Sequence, residues 1–404
     1  MLRVFWGMLR GLVCAFIHMN CVRSAPKRAL FLWGLACCAL LGWATPCTAG
    51  QAADADRVFS GSESSDVPEA ALYPATQMDG KGASPSVRNA GTLIVYFEND
   101  LFCGTDRYYT NAVRATAISP DLISWAESGD LPDSLDDAVM SLPFAGRTDA
   151  LFNVSLSLGQ EIYTPENTQI RALQKDDRPY AGFLYGSVGL HAKTGKRLDT
   201  LELTLGVVGP WSMAETAQNG IHRMRQIDTA KGWEHQLHNE PGMMVTWERT
   251  WRMNEALRNR GWEWDFLPYV GLTAGNVMTY ASMGGEARYG WNVPSDFGTS
   301  LIRAGGGVSG PTEDRDPLVQ GGWGCYAFVG TEARAVARNI FLDGNTFTNS
   351  HHVDKRYLVA DFSAGLAVVF QGWRLAYTYV VRTEEFVGQN SMQHFGSLQL
   401  SYSF

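Results

Sequence analysis

Hydrophobic and polar residues alternate one for one along much of this chain, most cleanly toward its end. Over 357–370, Leu358, Ala360, Phe362, Ala364, Leu366, Val368 and Phe370 interleave with Val359, Asp361, Ser363 and Gly365. Over 372–382 the apolar row is Trp373, Leu375, Tyr377, Tyr379 and Val381. The last stretch, His394 to Phe404, sets Leu398, Leu400, Tyr402 and Phe404 against Gln399, Ser401 and Ser403. Successive side chains of a strand point to opposite faces, so a period of two means one greasy and one polar face. A terminal strand of this kind, ending in Phe, suits a wall whose outer side touches lipid.

Alternation and turn signals predict strands at 92–99, 111–118, 152–162, 181–193, 197–208, 242–252, 264–274, 279–291, 323–341, 357–370, 372–382 and 394–404. Twelve is even, as bacterial single-chain barrels require, and puts both ends of the wall on the periplasmic side. The expected fold is all-β: a transmembrane antiparallel β-barrel of twelve strands with a short helix in an outer loop. By parity, segments 100–110, 163–180, 209–241, 275–278, 342–356 and 383–393 are outer loops, while 119–151, 253–262 and 292–322 are periplasmic and two of them long for turns. The helical stretch is 212–227 (SMAETAQNGIHRMRQI), with Ser212 as its cap and Glu215 three residues on.

The amino end changes the compartment. Arg23, Lys27 and Arg28 precede an apolar run from Ala29 to Ala44, and small residues follow at Thr48, Ala49 and Gly50. That is the layout of a secretory signal, so residues 1–50 read as a signal peptide. Residues 51–90, rich in Ala, Ser, Asp, Gly and Pro without periodicity, read as a mobile periplasmic leader, and 91–404 as the barrel. After residue 50 no apolar run reaches 18 residues, which excludes helical spans. Yet 45% of residues are hydrophobic, with 13 Trp, 15 Tyr and 19 Phe, a composition suited to a thin wall with aromatic girdles. The net charge of −8 argues against a nucleic-acid partner. Cys103 and Cys325, the cysteines outside the leader, are in principle able to pair, but two thiols decide nothing.

Candidate chemistry sits in the outer loops. There is no G-x-S-x-G elbow, H-E-x-x-H or Walker loop, and the Gly-rich run 305–310 is followed by Pro311, where no helix can open. Glu98-Asn99-Asp100 and Thr110, in TDRYYTN (105–111), make either an oxygen-rich corner for a hard divalent cation or a solvated turn. Gln218 and His222 lie four apart on one helix face with Asp228 six further on, placing His222 either as a base for water or as an exposed loop histidine. His235 and His238 are either metal ligands or part of a loop returning to the wall. Lys175, Arg178 and Tyr180 are either contacts for an anionic lipid headgroup or ordinary loop residues.

The motifs ENDLF…TDRYYTN (98–111), LGQEIYTP (158–165), DRPYAGFLY (177–185), QNGIH (218–222), GWEHQLHNEP (232–241), NIFLDGNTF (339–347) and the terminal FGSLQLSYSF together resemble the lipid A 3′-O-deacylases of the outer membrane. The resemblance runs from about Gly91 to Phe404. It implies a twelve-stranded barrel in the bacterial outer membrane, active site toward the outer leaflet, acting as a calcium-dependent esterase on lipid A of lipopolysaccharide; a monomer is expected. Matched residue by residue, it implies His222 as the base, Asn99 and Asp100 at the metal and oxyanion position, and Gln218 as a supporting amide. Thr110 is the implied active-site hydroxyl, with Thr164 as the alternative. Asp228 stands as a metal ligand where the family usually has Glu. Mg²⁺ and Zn²⁺ remain open beside Ca²⁺. The competing readings are an outer-membrane serine hydrolase of the phospholipase kind and a non-catalytic pore or adhesin.

Overall fold

The computed structural model describes residues 91–100, 108–122, 149–253, 261–299, 301–303, 310, 316–320 and 322–404. The expected signal peptide and leader, Cys103, and most of 123–148 and 304–315 lie outside these residues. Twelve strands follow one another: β1 (Thr92–Asn99), β2 (Tyr108–Ile118), β3 (Leu151–Thr164), β4 (Ala181–Lys193), β5 (Arg197–Val208), β6 (Glu240–Trp251), β7 (Trp262–Gly275), β8 (Met278–Trp291), β9 (Trp323–Asn339), β10 (Leu358–Phe370), β11 (Trp373–Arg382) and β12 (Gln393–Ser403). Each pairs antiparallel with its neighbours, and β1 closes on β12 from Thr92 opposite Ser403 to Asn99 opposite Gly396, so the ring has no free edge. In a membrane that closure satisfies every ladder group from within. No helix among the described residues is long and apolar enough to cross a membrane.

The alternation in the sequence is the wall seen edge-on. Leu358, Phe362, Leu366, Val368 and Phe370 of β10 and Trp373, Leu375, Tyr377 and Tyr379 of β11 are exposed on the outside, while Val359, Asp361, Val369, Arg374, Ala376 and Thr378 turn inward and are buried. On β1, Ile94, Tyr96 and Glu98 face the lumen and Leu93 and Val95 face out.

The lumen is filled. After β8 the chain does not form the periplasmic turn expected over 292–322; its described parts fold back into the ring. Asp296 pairs with Arg288 at 2.5 Å and with Arg374. Further up, the Ile302 amide donates to Glu98 Oε1 at 2.7 Å, Arg303 pairs with Glu248, and Arg114 donates to the Arg303 carbonyl at 2.9 Å and to Glu202 at 2.6 Å. An isolated charge in so dry a place is costly, and these are held because each meets an opposite charge with hydrogen-bond geometry. Sequence alone left this plug out because Gly-rich polar stretches carry no periodicity; its anchors are inward carboxylates on distant strands.

The rims also differ from expectation in detail. The helix, α1 (Ala214–Met224), is shorter than 212–227, and Ser212 does not cap it: the N-cap is Met213 in left-handed backbone (φ 58°), and the Ser212 hydroxyl instead donates to Gly209 O at 2.6 Å. Nor is it the only helix. A single turn, α2 (Pro317–Gln320), lies in the segment before β9. Another, α3 (Ile340–Asp343), takes the end of the strand expected over 323–341; Asn339 caps it, and it tucks Phe341 against Tyr163, rings 4.1 Å apart.

Candidate functional site

Helix α1 lies against the lipid-facing side of the wall. Gly182, at the outer end of β4, alternates with the inward Ala181 and Phe183, so its missing side chain would point outward. A Cβ built there meets Ala214 Cβ and Ser212 Oγ, both at 2.2 Å. Only glycine lets the helix come this close. Gln160, outward on β3, donates to the Ser212 carbonyl at 2.6 Å, and Ile162, two residues on, packs with Ala214, Ala217, Ala230 and Trp233. Ala214, Gln218 and His222 recur every four residues on the buried stripe of the helix, so all three face the wall.

This seat fixes the chemistry of His222. Its Nδ1 is 2.7 Å from the Asp228 carbonyl oxygen. A carbonyl only accepts, so Nδ1 is the protonated nitrogen, and in the neutral ring the lone pair falls on Nε2, the form a general base needs. The imidazole is almost fully buried, where the bland reading required an exposed loop residue. Gln218, one turn earlier, accepts from the Trp233 indole at 3.1 Å.

Asn99, Asn111 and Thr164 sit on the same outer face by the alternation of their strands. Asn99 shares its side of β1 with Leu93 and Val95; it stands opposite Asn111 of β2, which stands opposite Ile162 of β3. The row spans two strand spacings, about 10 Å, and α1 covers its Ile162 end. A bulge between Tyr109 and Asn111 frees Thr110 from the ladder, and its hydroxyl meets that of Thr164 at 2.7 Å. The two residues that sequence offered as alternatives are thus partners. Asn99, Asp100, Thr110, Asn111 and Thr164 are all buried, whereas Leu93 and Val95 lower on the outer face of β1 are exposed.

Three expected residues take other positions. Arg178 is turned inward and fully buried, paired to Glu385 at 3.1 Å and stacked over Tyr163 at 4.7 Å. Tyr180 is buried too: its hydroxyl donates to the Lys231 carbonyl at 2.5 Å and its ring packs on Trp233 at 4.9 Å. Neither side chain meets solvent at the rim. Lys175 does, and Arg223, Arg225 and Lys231 are exposed on the outer loops beside Asp176, Glu215, Asp228 and Glu234. Asp228 is exposed; what it gives His222 is a backbone carbonyl. Trp233 and Glu240 lie in the GWEHQLHNEP motif, but sequence reasoning assigned neither a role. The Glu240 carboxylate accepts from the Thr346 amide at 2.7 Å and from Asn345 at 3.1 Å, tying the loop after β9 to β6.

Among the described residues no three His, Cys, Asp or Glu side chains gather as a metal cage, and His235 and His238 are exposed. The donors at the rim are carboxylate, amide and hydroxyl oxygens with one imidazole. That set suits a hard cation completing its shell from backbone and water, and not zinc in a side-chain cage. Among the described residues the serine-hydrolase reading finds one pairing, Ser155 Oγ to His191 Nε2 at 2.8 Å, but both are buried in the lumen and His191 Nδ1 faces the Thr200 hydroxyl instead of an acid.

Comparison with known proteins follows this geometry. The family model for outer membrane protein LpxR matches residues 69–404. The structure of LpxR from Salmonella typhimurium is 19% identical, covers 77% of this chain and 99% of its own length, and superposes at a TM-score of 0.61, which shows the same fold. Looser likenesses are the β domain of the Bordetella autotransporter BrkA (11% identity, 78% and 100% coverage, TM-score 0.37) and the translocator domain of the autotransporter NalP from Neisseria meningitidis (10%, 80% and 90%, 0.30). No curated protein sequence matches. The chain is therefore a bacterial outer-membrane barrel that belongs to the LpxR family of lipid A 3′-O-deacylases.

Proposed function

We propose that this protein is an esterase that removes the 3′-O-linked acyl or acyloxyacyl chain of lipid A, acting from the outer leaflet. The carrying observation is a histidine in the base tautomer, held by a backbone carbonyl on a helix seated against the lipid-facing wall. Substrate reaches such a site sideways within the leaflet. Exposed Lys175, Arg223, Arg225 and Lys231 attract its anionic sugar end, Lys175 as a point charge. His222 Nε2 takes a proton from the attacking water as the water oxygen bonds to the acyl carbon, and the Asn99 amide donates to the ester carbonyl oxygen as charge builds there. The proton then returns to the 3′ sugar oxygen as its bond to the acyl carbon breaks, leaving a free acid. Thr110 and Thr164, hydroxyl to hydroxyl, orient water or the ester beside it. Asp100 and Asp228, with backbone oxygens, are the residues that would hold calcium. When bound, the ion supplies positive charge against the developing oxyanion.

The test is mass spectrometry of lipid A from cells expressing this chain, with and without chelator. Loss of the 3′-linked acyl group, blocked by chelation, is expected. Unchanged lipid A with channel activity in planar bilayers would instead support the pore reading.

A further inference from the structure

Resting on the esterase reading above, we propose that Trp233 is a positioning residue: it locks the Gln218 side chain so that the amide NH₂, and not its oxygen, faces the reacting ester. An indole N–H can only donate, so the Gln218 atom it meets at 3.1 Å must be the carbonyl oxygen. That settles the orientation of an amide whose two ends are otherwise interchangeable. The other end, Nε2, is buried and has no hydrogen-bond partner within the protein. Gln218 as a whole is only 3% exposed. A buried donor without an acceptor is costly, and a native fold completes it with water or a ligand. Gln218 lies one turn from His222 on the stripe that faces the wall, so the donor opens toward the space the base serves.

Trp233 is itself held firmly. It is 2% exposed and packs on the Tyr180 ring, whose hydroxyl is anchored on the Lys231 carbonyl. It follows Gly232, whose backbone is left-handed (φ 95°) and where a Cβ would come within 3.0 Å of the Ile170 carbonyl. The run from Tyr180 through Trp233 to Gln218 gives all three residues one task. It also explains why Tyr180 is buried when sequence placed it against substrate.

The test compares Trp233→Phe, which keeps the ring stack but loses the N–H, with Gln218→Met and the double variant, in purified, folded barrel. Gln218→Met removes an oxyanion donor and is expected to lower kcat about 10²–10³-fold. Trp233→Phe is expected to lower kcat about tenfold with KM unchanged, because the amide is then free to turn. The double variant should be no slower than Gln218→Met alone, since Trp233 acts only through Gln218. Full turnover in Trp233→Phe, or additive losses in the double variant, would overturn the proposal. An NMR signal of the Trp233 indole proton that Gln218→Met leaves unmoved would overturn it as well. That signal is read without turnover, so it separates this failure from failure of the esterase reading.

Discussion

A histidine works as a base only if the right nitrogen is bare, and at His222 a backbone oxygen decides which one is. Replacing it with Ala removes the base but leaves the strand ladder of the wall intact. Turnover should fall about 10²–10⁴-fold, while the barrel keeps its heat-modifiable migration in gels. A variant that deacylates at near the native rate would sink the role. Arg178 calls for the opposite expectation. Because it is buried against Glu385, Arg178→Met leaves a carboxylate with a weakened partner, at a cost of about 3–5 kcal/mol when one member of a buried pair is lost. The readout is faster proteolysis of the outer loops, before any change in affinity for lipid. The two residues show what a sequence can and cannot say. His222 was legible because spacing puts it on a face with Gln218. Arg178 was not, because in a barrel the inside is polar too, and charge alone does not tell lumen from rim.

At the scale of elements, the strands were legible almost to the residue, since one-for-one alternation is enforced by lipid outside and charge inside. Helix α1 was legible as a helix but not as a lid on the wall; the sign was a glycine, Gly182, whose meaning depends on what stands over it. Gly182→Val would drive a side chain into Ala214 and Ser212, where a Cβ already lies 2.2 Å from each. The expected result is a closed, correctly inserted barrel with α1 displaced and activity lost together with protection of the helix from protease. Retained activity would mean that the close seat is dispensable. The bulge at Thr110 is a second case: nothing in TDRYYTN marks the extra residue that turns its hydroxyl to Thr164.

For the whole molecule, the plug and the outer loops decide what passes through. With Ile302, Arg303 and Phe341 inside the ring, and a cavity of only about 60 Å³ beside them, planar bilayers containing the protein should show no steady conductance; stable open channels would contradict the filled lumen. The mouth is also clasped. Burial works against the charged form of Glu385, but Arg178, Arg382 and Arg334 outweigh it and hold the carboxyl below the ordinary glutamate range. A lowered acid contributes stability above its unfolded value, and that contribution fades as pH falls through the lowered folded one. The clasp should therefore be intact at neutral pH and loosen only under acid below pH 4.5, as hydrogen-exchange protection in residues 383–392, taken relative to the intrinsic rate, would report. Protection that falls instead between pH 6 and 8 would point to another group.

The proposed catalytic face on the outside of the cylinder also sets the kind of kinetics to expect. Encounters take place in a plane, so the relevant concentration is the mole fraction of substrate among its neighbours in the sheet, not its amount per litre. Diluting mixed micelles with inert detergent at constant total substrate should slow the reaction, whereas adding buffer should leave it unchanged.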